Sequence, residues 1–357
     1  MLAAGRFHAT GLRSAARRFL CEGRFHYVVG ALVAGIFAVH LVTFPDELPL
    51  FYGDPYQYLL HAENLVEGRP YAATGYIQSP DWYVAPVAYP PGFPLLLAPV
   101  IALFGIDLMA VGALLTLAFV GGLWALAALL RGALPRPYVI GLVLVVGLHP
   151  YFWKFKLLPL SELPFLCAVA LCLLFYSRAT RDGPGTRSGT VIGLAVLAGL
   201  TLGFAIGTRL LGLVLLPTFV LHDLVRFRRL GLPLLVTGAT VLVSSGLAAA
   251  TLDIEAGAWT AAAVGEQGSY AELLQQNLLE RPLLLLRRVP ERLGDYARSG
   301  ASVLWHVPAA GAPGSAVKFA LAALSLGPVL LGLAVRFRHR FGVAEAFCVC
   351  YFAALLP

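Results

Sequence analysis

The chain has 357 residues, of which 59% are hydrophobic and 13% charged, and its mean hydropathy is +0.79. A soluble domain carries about 25% charged residues, so a soluble enzyme or a nucleic-acid-binding module is excluded. The composition is that of a polytopic membrane protein with room for roughly eight to ten spans. The net charge of +7 then belongs to the membrane boundary and does not call for nucleic acid.

The first 24 residues form a basic tail with Arg6, Arg13, Arg17, Arg18 and Arg24, ahead of an apolar run at 27–44. No small-residue cleavage site follows that run, so an uncleaved first span is expected behind a cytoplasmic tail at 1–26. Further apolar runs lie at 86–106, 108–130, 138–153, 163–177, 190–207, 210–222, 232–251, 315–335 and 343–357. The short breaks between them hold eleven arginines: Arg131, Arg136, Arg178, Arg181, Arg187, Arg226, Arg228, Arg229, Arg336, Arg338 and Arg340. Their only acids are Asp182 and Asp223. Short arginine-rich loops stay on the cytoplasmic side. All eleven share the side of the tail only if 86–106 does not cross. That run carries Pro86, Pro90, Pro91, Pro94 and Pro99, which suit a juxtamembrane or re-entrant element better than a straight span.

The expected fold is therefore an all-α polytopic bundle of about nine spans within 27–357. Juxtamembrane helices sit at the outer face in the first large loop. External loops fall at about 45–106 and 252–314, and the run 190–222 must break at Thr208-Arg209. Residues 270–297 read as surface-lying amphipathic helices. The last run is short and the chain stops within it, as it would if the natural protein continued. The five cysteines, Cys21, Cys167, Cys172, Cys348 and Cys350, do not have metal-clamp spacing, and the four within apolar runs read as fillers.

Four stretches could carry chemistry. In Gly53-Asp54-Pro55-Tyr56-Gln57-Tyr58, an amphipathic helix follows the acid and ends at Gly68. Asp54, Pro55 and Gln57 have capping-box spacing, so Asp54 reads as an N-cap that doubles as an ionised carboxylate. Tyr89-Pro90-Pro91-Gly92-Phe93-Pro94 is a rigid turn into an apolar element, with Tyr89 as an interface anchor. His149-Pro150-Tyr151-Phe152-Trp153-Lys154-Phe155-Lys156 reads as an aromatic and basic belt, and Ser161-Glu162 after it as the cap and first turn of a span. Thr208-Arg209 places a guanidinium between apolar runs, where it snorkels, pairs or meets an anion such as phosphate. His61, Asp81 and His306 are lone polar residues of external loops and read as solvated.

In order, these stretches resemble the GT-C superfamily of membrane glycosyltransferases over roughly residues 25–225. The likeness is greatest to dolichyl-phosphate-mannose protein mannosyltransferases and bacterial lipid-A aminoarabinose transferases. It implies an inverting transferase that moves a hexosyl or pentosyl group from a polyprenyl-phosphate donor to a glycan, lipid or protein acceptor outside the plasma (inner) membrane. It also implies Asp54 and Glu162 as catalytic acids, and Arg209, Tyr89, Tyr56 and Lys156 as substrate-binding residues. Asp54 is preferred to the pair Asp46-Glu47 because the helix follows it directly. No metal is required, since a cation of the chain can stabilise a phosphate leaving group, and a divalent ion stays open. The rival expectation is a lipid or solute transporter or flippase, which favours ionisable residues deep in several spans.

Overall fold

The computed structural model describes residues 25–45, 53–75, 89–251, 324, 331–332, 334–336 and 341–355. Asp46-Glu47, Asp81, His306, Cys21, the 1–24 tail and the amphipathic stretch at 270–297 lie outside the described residues. The elements are α1 (Phe25–Val42), α2 (Asp54–Glu67), α3 (Gly92–Phe104), α4 (Leu108–Leu130) and α5 (Arg136–Gly147). Then come α6 (Pro150–Trp153) with a 3-10 turn at Lys154–Lys156, α7 (Glu162–Ala179) and α8 (Gly189–Thr208). A second 3-10 turn at Leu210–Val214 leads into α9 (Leu215–Phe227), followed by α10 (Leu232–Thr251) and α11 (Val343–Leu355).

The described residues contain no strand, and five helices are long and apolar enough to cross a membrane: α1, α4, α7, α8, and α9 with its 3-10 lead. A sixth arises if α5 and the α6 segment, bent by 48°, count as one span. The described residues are thus all-helical, with the apolar spans of a helical membrane protein. Of the nine crossings expected, these six coincide with helices of spanning length, the described part of α10 and α11 are shorter, and most of 315–335 lies outside the described residues.

Helix starts follow local chemistry. Asp107 caps α4 by accepting from the Met109 and Ala110 N–H groups at 2.8 and 2.9 Å, and Ser188 caps α8 by accepting from Val191 N–H at 3.3 Å. In α2 the cap is Gly53, with φ 73°, and Asp54 is already the first helical residue, with no side-chain capping bond. The capping-box reading is therefore corrected. Glycine's freedom at positive φ lets the chain enter the helix one residue earlier than the Asp-Pro spacing suggests. Gly68, in the left-handed conformation, ends α2 as its position implies.

Contacts sort the bundle into two ends. α4 and α7 run parallel: Leu114 shares a groove with Pro164, Gly122 meets Cys167, and Ala125 packs with Ala170 and Leu174. Close approach at Gly122, where an added Cβ would lie 3.1 Å from the Cys167 Cα, brings the two helices together. At one end the Arg131 guanidinium meets the His26 ring at 2.6 Å, and Arg336 donates to the Ala133 carbonyl at 3.0 Å while pairing with Glu345. Leu232 N–H bonds the Pro184 carbonyl at 2.9 Å, joining the loops that carry Arg181 and Arg229. At the other end His40 Nε2 bonds the Gly147 carbonyl at 3.0 Å, and Lys156 reaches the end of α1. The described parts of the arginine-rich breaks therefore lie away from the candidate site residues.

α3 begins against Gly207 and Thr208 at the C-terminal end of α8. It is followed by α4, whose Gly112 meets Phe44 and the Lys156 carbonyl. Both ends of α3 thus sit at the same end of the bundle. Its 13 residues span about 20 Å against the ~30 Å of a hydrocarbon core. Among the described residues, α3 does not extend to the other end of the bundle. α2 and α3 pack together through Tyr58, Leu59, Ala62, Phe93, Leu97 and Ile101 as a layer over that end.

Candidate functional site

The break after α8 builds the centre. Arg209 is extended (φ −150°, ψ 131°), and Gly212 folds the following 3-10 turn back onto the last turn of α8. An added Cβ at Gly212 would lie 2.7 Å from Ile206 N, so only glycine lets the chain turn back this closely. The guanidinium projects toward the start of α7. Its Nη1 pairs with Glu162 Oε1 at 2.7 Å and donates to Ser161 Oγ at 3.2 Å. The Tyr58 hydroxyl donates to the same serine oxygen at 3.2 Å. One hydroxyl oxygen therefore accepts from both α2 and the α8–α9 break. Ser161 precedes α7 yet makes no side-chain capping bond.

Arg209 and Glu162 are each about 40% exposed, so the pair is open to water or to a ligand. Glu162 Oε2 is buried without a partner. Asp54 lies one turn before Tyr58 on the same face of α2, is exposed, and has no hydrogen bond or ion pair among the described residues. Burial pushes the Tyr58 phenol up to about 12, with Ser161 and Arg209 opposing that rise and Asp54 and Glu162 adding to it. Tyr58 therefore stays protonated and acts as a donor, within electrostatic range of both carboxylates and the guanidinium.

The Tyr89 turn is tied in by several bonds. The rings of Tyr58 and Tyr89 lie 4.5 Å apart. The Tyr89 carbonyl accepts from the Tyr71 hydroxyl at 2.8 Å, and its N–H donates to His61 Nε2 at 3.3 Å. His61 Nδ1 donates to the Tyr71 carbonyl at 2.8 Å, and its ring stacks on Tyr71 at 4.4 Å. His61 is fully buried, and burial holds its imidazole below the usual value. The reading of His61 as a solvated loop residue is thus corrected: it sits mid-helix and faces the 69–75 turn that folds back over α2. Below Gly92, an apolar groove of about 410 Å³ opens between α3, α4, α7 and α8, lined by Leu96, Leu117, Pro164, Cys167, Leu200 and Phe204 among others.

Of the residues singled out in the sequence, Asp54, Tyr89, Glu162 and Arg209 converge around Tyr58. Lys156 does not join them. It is 3% exposed, and its ammonium donates to the His40 carbonyl (2.7 Å), the Thr43 carbonyl (3.0 Å) and Thr43 Oγ1 (2.8 Å), closing the C-terminal end of α1. Tyr56 is 54% exposed on the opposite side of α2 from the buried Tyr58. Lys154 lies over the Tyr151 ring at 4.3 Å, as a belt residue does. Tyr58 and Ser161 were read from sequence only as an apolar-face residue and a cap. The available signal was adjacency: Tyr58 is one turn from Asp54, and Ser161 precedes Glu162.

A second polar cluster lies at the arginine-bearing end. Asp223, fully buried, accepts from the Tyr176 hydroxyl (2.9 Å), His222 Nδ1 (3.0 Å) and the Gly231 N–H (2.9 Å). Its oxygens are committed to joining α7, α9 and the turn into α10. Among the described residues no three His, Cys, Asp or Glu side chains come together as a metal-holding group. No family model matches the chain, and no curated protein matches it.

Proposed function

We propose that the chain is an inverting glycosyltransferase of GT-C type that takes its sugar from a polyprenyl-phosphate donor at the extracytoplasmic face of the plasma membrane. The observation that carries this reading is the convergence of Asp54, Glu162 and Arg209 around Tyr58, from three segments well separated in sequence. The arginine-rich breaks at the opposite end support a cytoplasmic assignment for that end.

In this reading the acceptor hydroxyl oxygen attacks the anomeric carbon from the face opposite the phosphate, and the carbon–oxygen bond to phosphate breaks. The electron pair leaves with the polyprenyl phosphate, whose oxygens Arg209 neutralises. The acceptor proton passes to the Asp54 carboxylate, which is exposed at the mouth. Acceptor class (glycan, lipid or protein) is set by whatever docks over α2.

The test is consumption of a radiolabelled panel of polyprenyl-phosphate sugars by membranes carrying the native chain or Asp54→Asn at matched expression. The side chain of Asp54 makes no cap bond, so Asn removes the charge without disturbing the start of α2. Consumption of one donor by the native chain alone supports the reading. Equal consumption by both removes Asp54 from the chemistry. Consumption by neither rejects glycosyl transfer in favour of transport.

A further inference from the structure

We propose that the Arg209–Glu162 pair is a resting ion pair that a phosphate ester exchanges, with Ser161 and Tyr58 as the positioning residues that hold the guanidinium in place while Glu162 is displaced. This inference rests on the reading of the site as one that receives a lipid phosphate, and it concerns how that phosphate is admitted.

Four features of the geometry carry it. Arg209 is held through one nitrogen, Nη1, by two unlike partners, the Glu162 carboxylate at 2.7 Å, which another anion can replace, and the Ser161 hydroxyl at 3.2 Å. Ser161 Oγ, accepting from Arg209 and from Tyr58, is itself fixed to α2 and to the start of α7. It keeps the guanidinium in register when the carboxylate leaves. The ion pair is about 40% exposed on both sides, so an incoming phosphate need not open the core to reach it. Glu162 Oε2 is buried and unpartnered, so the carboxylate is held by one oxygen only. A phosphate accepts from the guanidinium fork through two oxygens and outcompetes that one-oxygen contact. The apolar groove is lined in part by Pro164, two residues from Glu162, and by Phe204, whose carbonyl accepts from the Thr208 hydroxyl at 2.7 Å. That placement favours a phosphate on an apolar chain over free phosphate.

The experiment measures binding of farnesyl phosphate, and separately of inorganic phosphate, to the purified chain in detergent. Native, Glu162→Gln, Asp54→Asn, Arg209→Gln, Ser161→Ala, Ser161→Thr and Tyr58→Phe chains are compared, each with its unfolding temperature. Removing the resting competitor in Glu162→Gln should tighten farnesyl phosphate by roughly two- to fivefold, the range of a half-exposed ion pair. Asp54→Asn removes the same charge without contacting Arg209, so it should tighten binding less. Arg209→Gln should lose about tenfold or more. Ser161→Ala and Tyr58→Phe should weaken binding and, since each removes a buried hydrogen bond, lower the unfolding temperature slightly, with Ser161→Thr restoring both. Inorganic phosphate should bind more weakly than farnesyl phosphate throughout.

A Glu162→Gln chain that binds no tighter than native, or no tighter than Asp54→Asn, overturns the exchange. Native affinity in Ser161→Ala and Tyr58→Phe overturns their positioning role. Equal binding of the two phosphates overturns the lipid source. If the exchange is seen and no sugar donor is ever consumed, glycosyl transfer falls while the ion-pair exchange stands.

Discussion

Gly92→Ala is the most incisive single change, because Gly92 and Gly207 touch each other and yet differ sharply in what they tolerate. A Cβ on Gly92 would lie 2.6 Å from Gly207 C, 2.7 Å from Gly207 O and 2.8 Å from Thr208 N. All three are backbone atoms, so no rotamer change relieves the overlap. α3 and the end of α8 must separate by about 1 Å, an overpacking strain of ~1–3 kcal/mol. Any gain in helix propensity is small at the first residue of α3. A Cβ on Gly207 would lie 3.8 Å from Gly92, an ordinary contact, so Gly207→Ala should be neutral or gain at most about 0.5–1 kcal/mol. The displaced residues lead directly into Arg209. Misplacement of a positioned group by about 1 Å can cost ~10²-fold, so under the proposed function donor turnover by Gly92→Ala should fall far more than its stability does. Thermal unfolding in detergent and donor consumption, measured on both variants, check this. Unfolding of Gly92→Ala at the native temperature, or equal losses in the two alanine variants, would refute the interlock.

Other outcomes follow from the same contacts. Lys156→Met should lower stability by about 2–4 kcal/mol by stripping the acceptors at the end of α1 of a charged donor, read as a lower unfolding temperature. Asp223→Ala should cost ~3–5 kcal/mol, since it leaves Tyr176 and the Gly231 N–H unpaired in a buried site, whereas Tyr176→Phe should cost about 1 kcal/mol. The His61 imidazole is lowered from 6.5 in the folded chain, chiefly by burial. Above that value it is neutral in both folded and unfolded chains, and its contribution to stability is full. As pH falls below it the unfolded chain takes up the proton first, so stability is lost until the lowered folded value is reached. Unfolding temperature against pH should therefore fall more steeply below pH 6.5 for the native chain than for His61→Gln, and parallel curves would contradict the buried, committed ring.

Charge placement made the two-ended arrangement legible from sequence, because short loops crowded with arginine and nearly free of acid leave one parity for 86–106. The prolines of that run, and Arg209 between two apolar runs, marked the non-crossing α3 and the α8–α9 break for the same reason: each is expensive in a continuous span. The acids Asp54 and Glu162 were legible as boundary residues. Their placement on either side of Tyr58 was not, because it depends on a parallel α4–α7 packing and on Gly92 docking at the end of α8, contacts between distant segments that leave no local periodicity. Lys156 misled because a lysine closing a helix end and a lysine at a membrane belt have the same sequence context. Asp54 misled as a cap because Asp-Pro fits the first turn as well as it fits the boundary, and Gly53 settles the matter only through a backbone angle.

The two polar clusters together constrain α7 as a mechanical part. At one end Ser161 and Glu162 fasten it to the break before α9, and at the other Tyr176 fastens it to Asp223 near the end of α9. A rod bolted to its neighbour at both ends can neither slide along its axis nor pivot about one bolt. At the site end the Ser161 contact persists when Glu162 is displaced, so the layer of α2 and α3, fastened there by Tyr58 and by the Gly92 contact, bears on a fixed support.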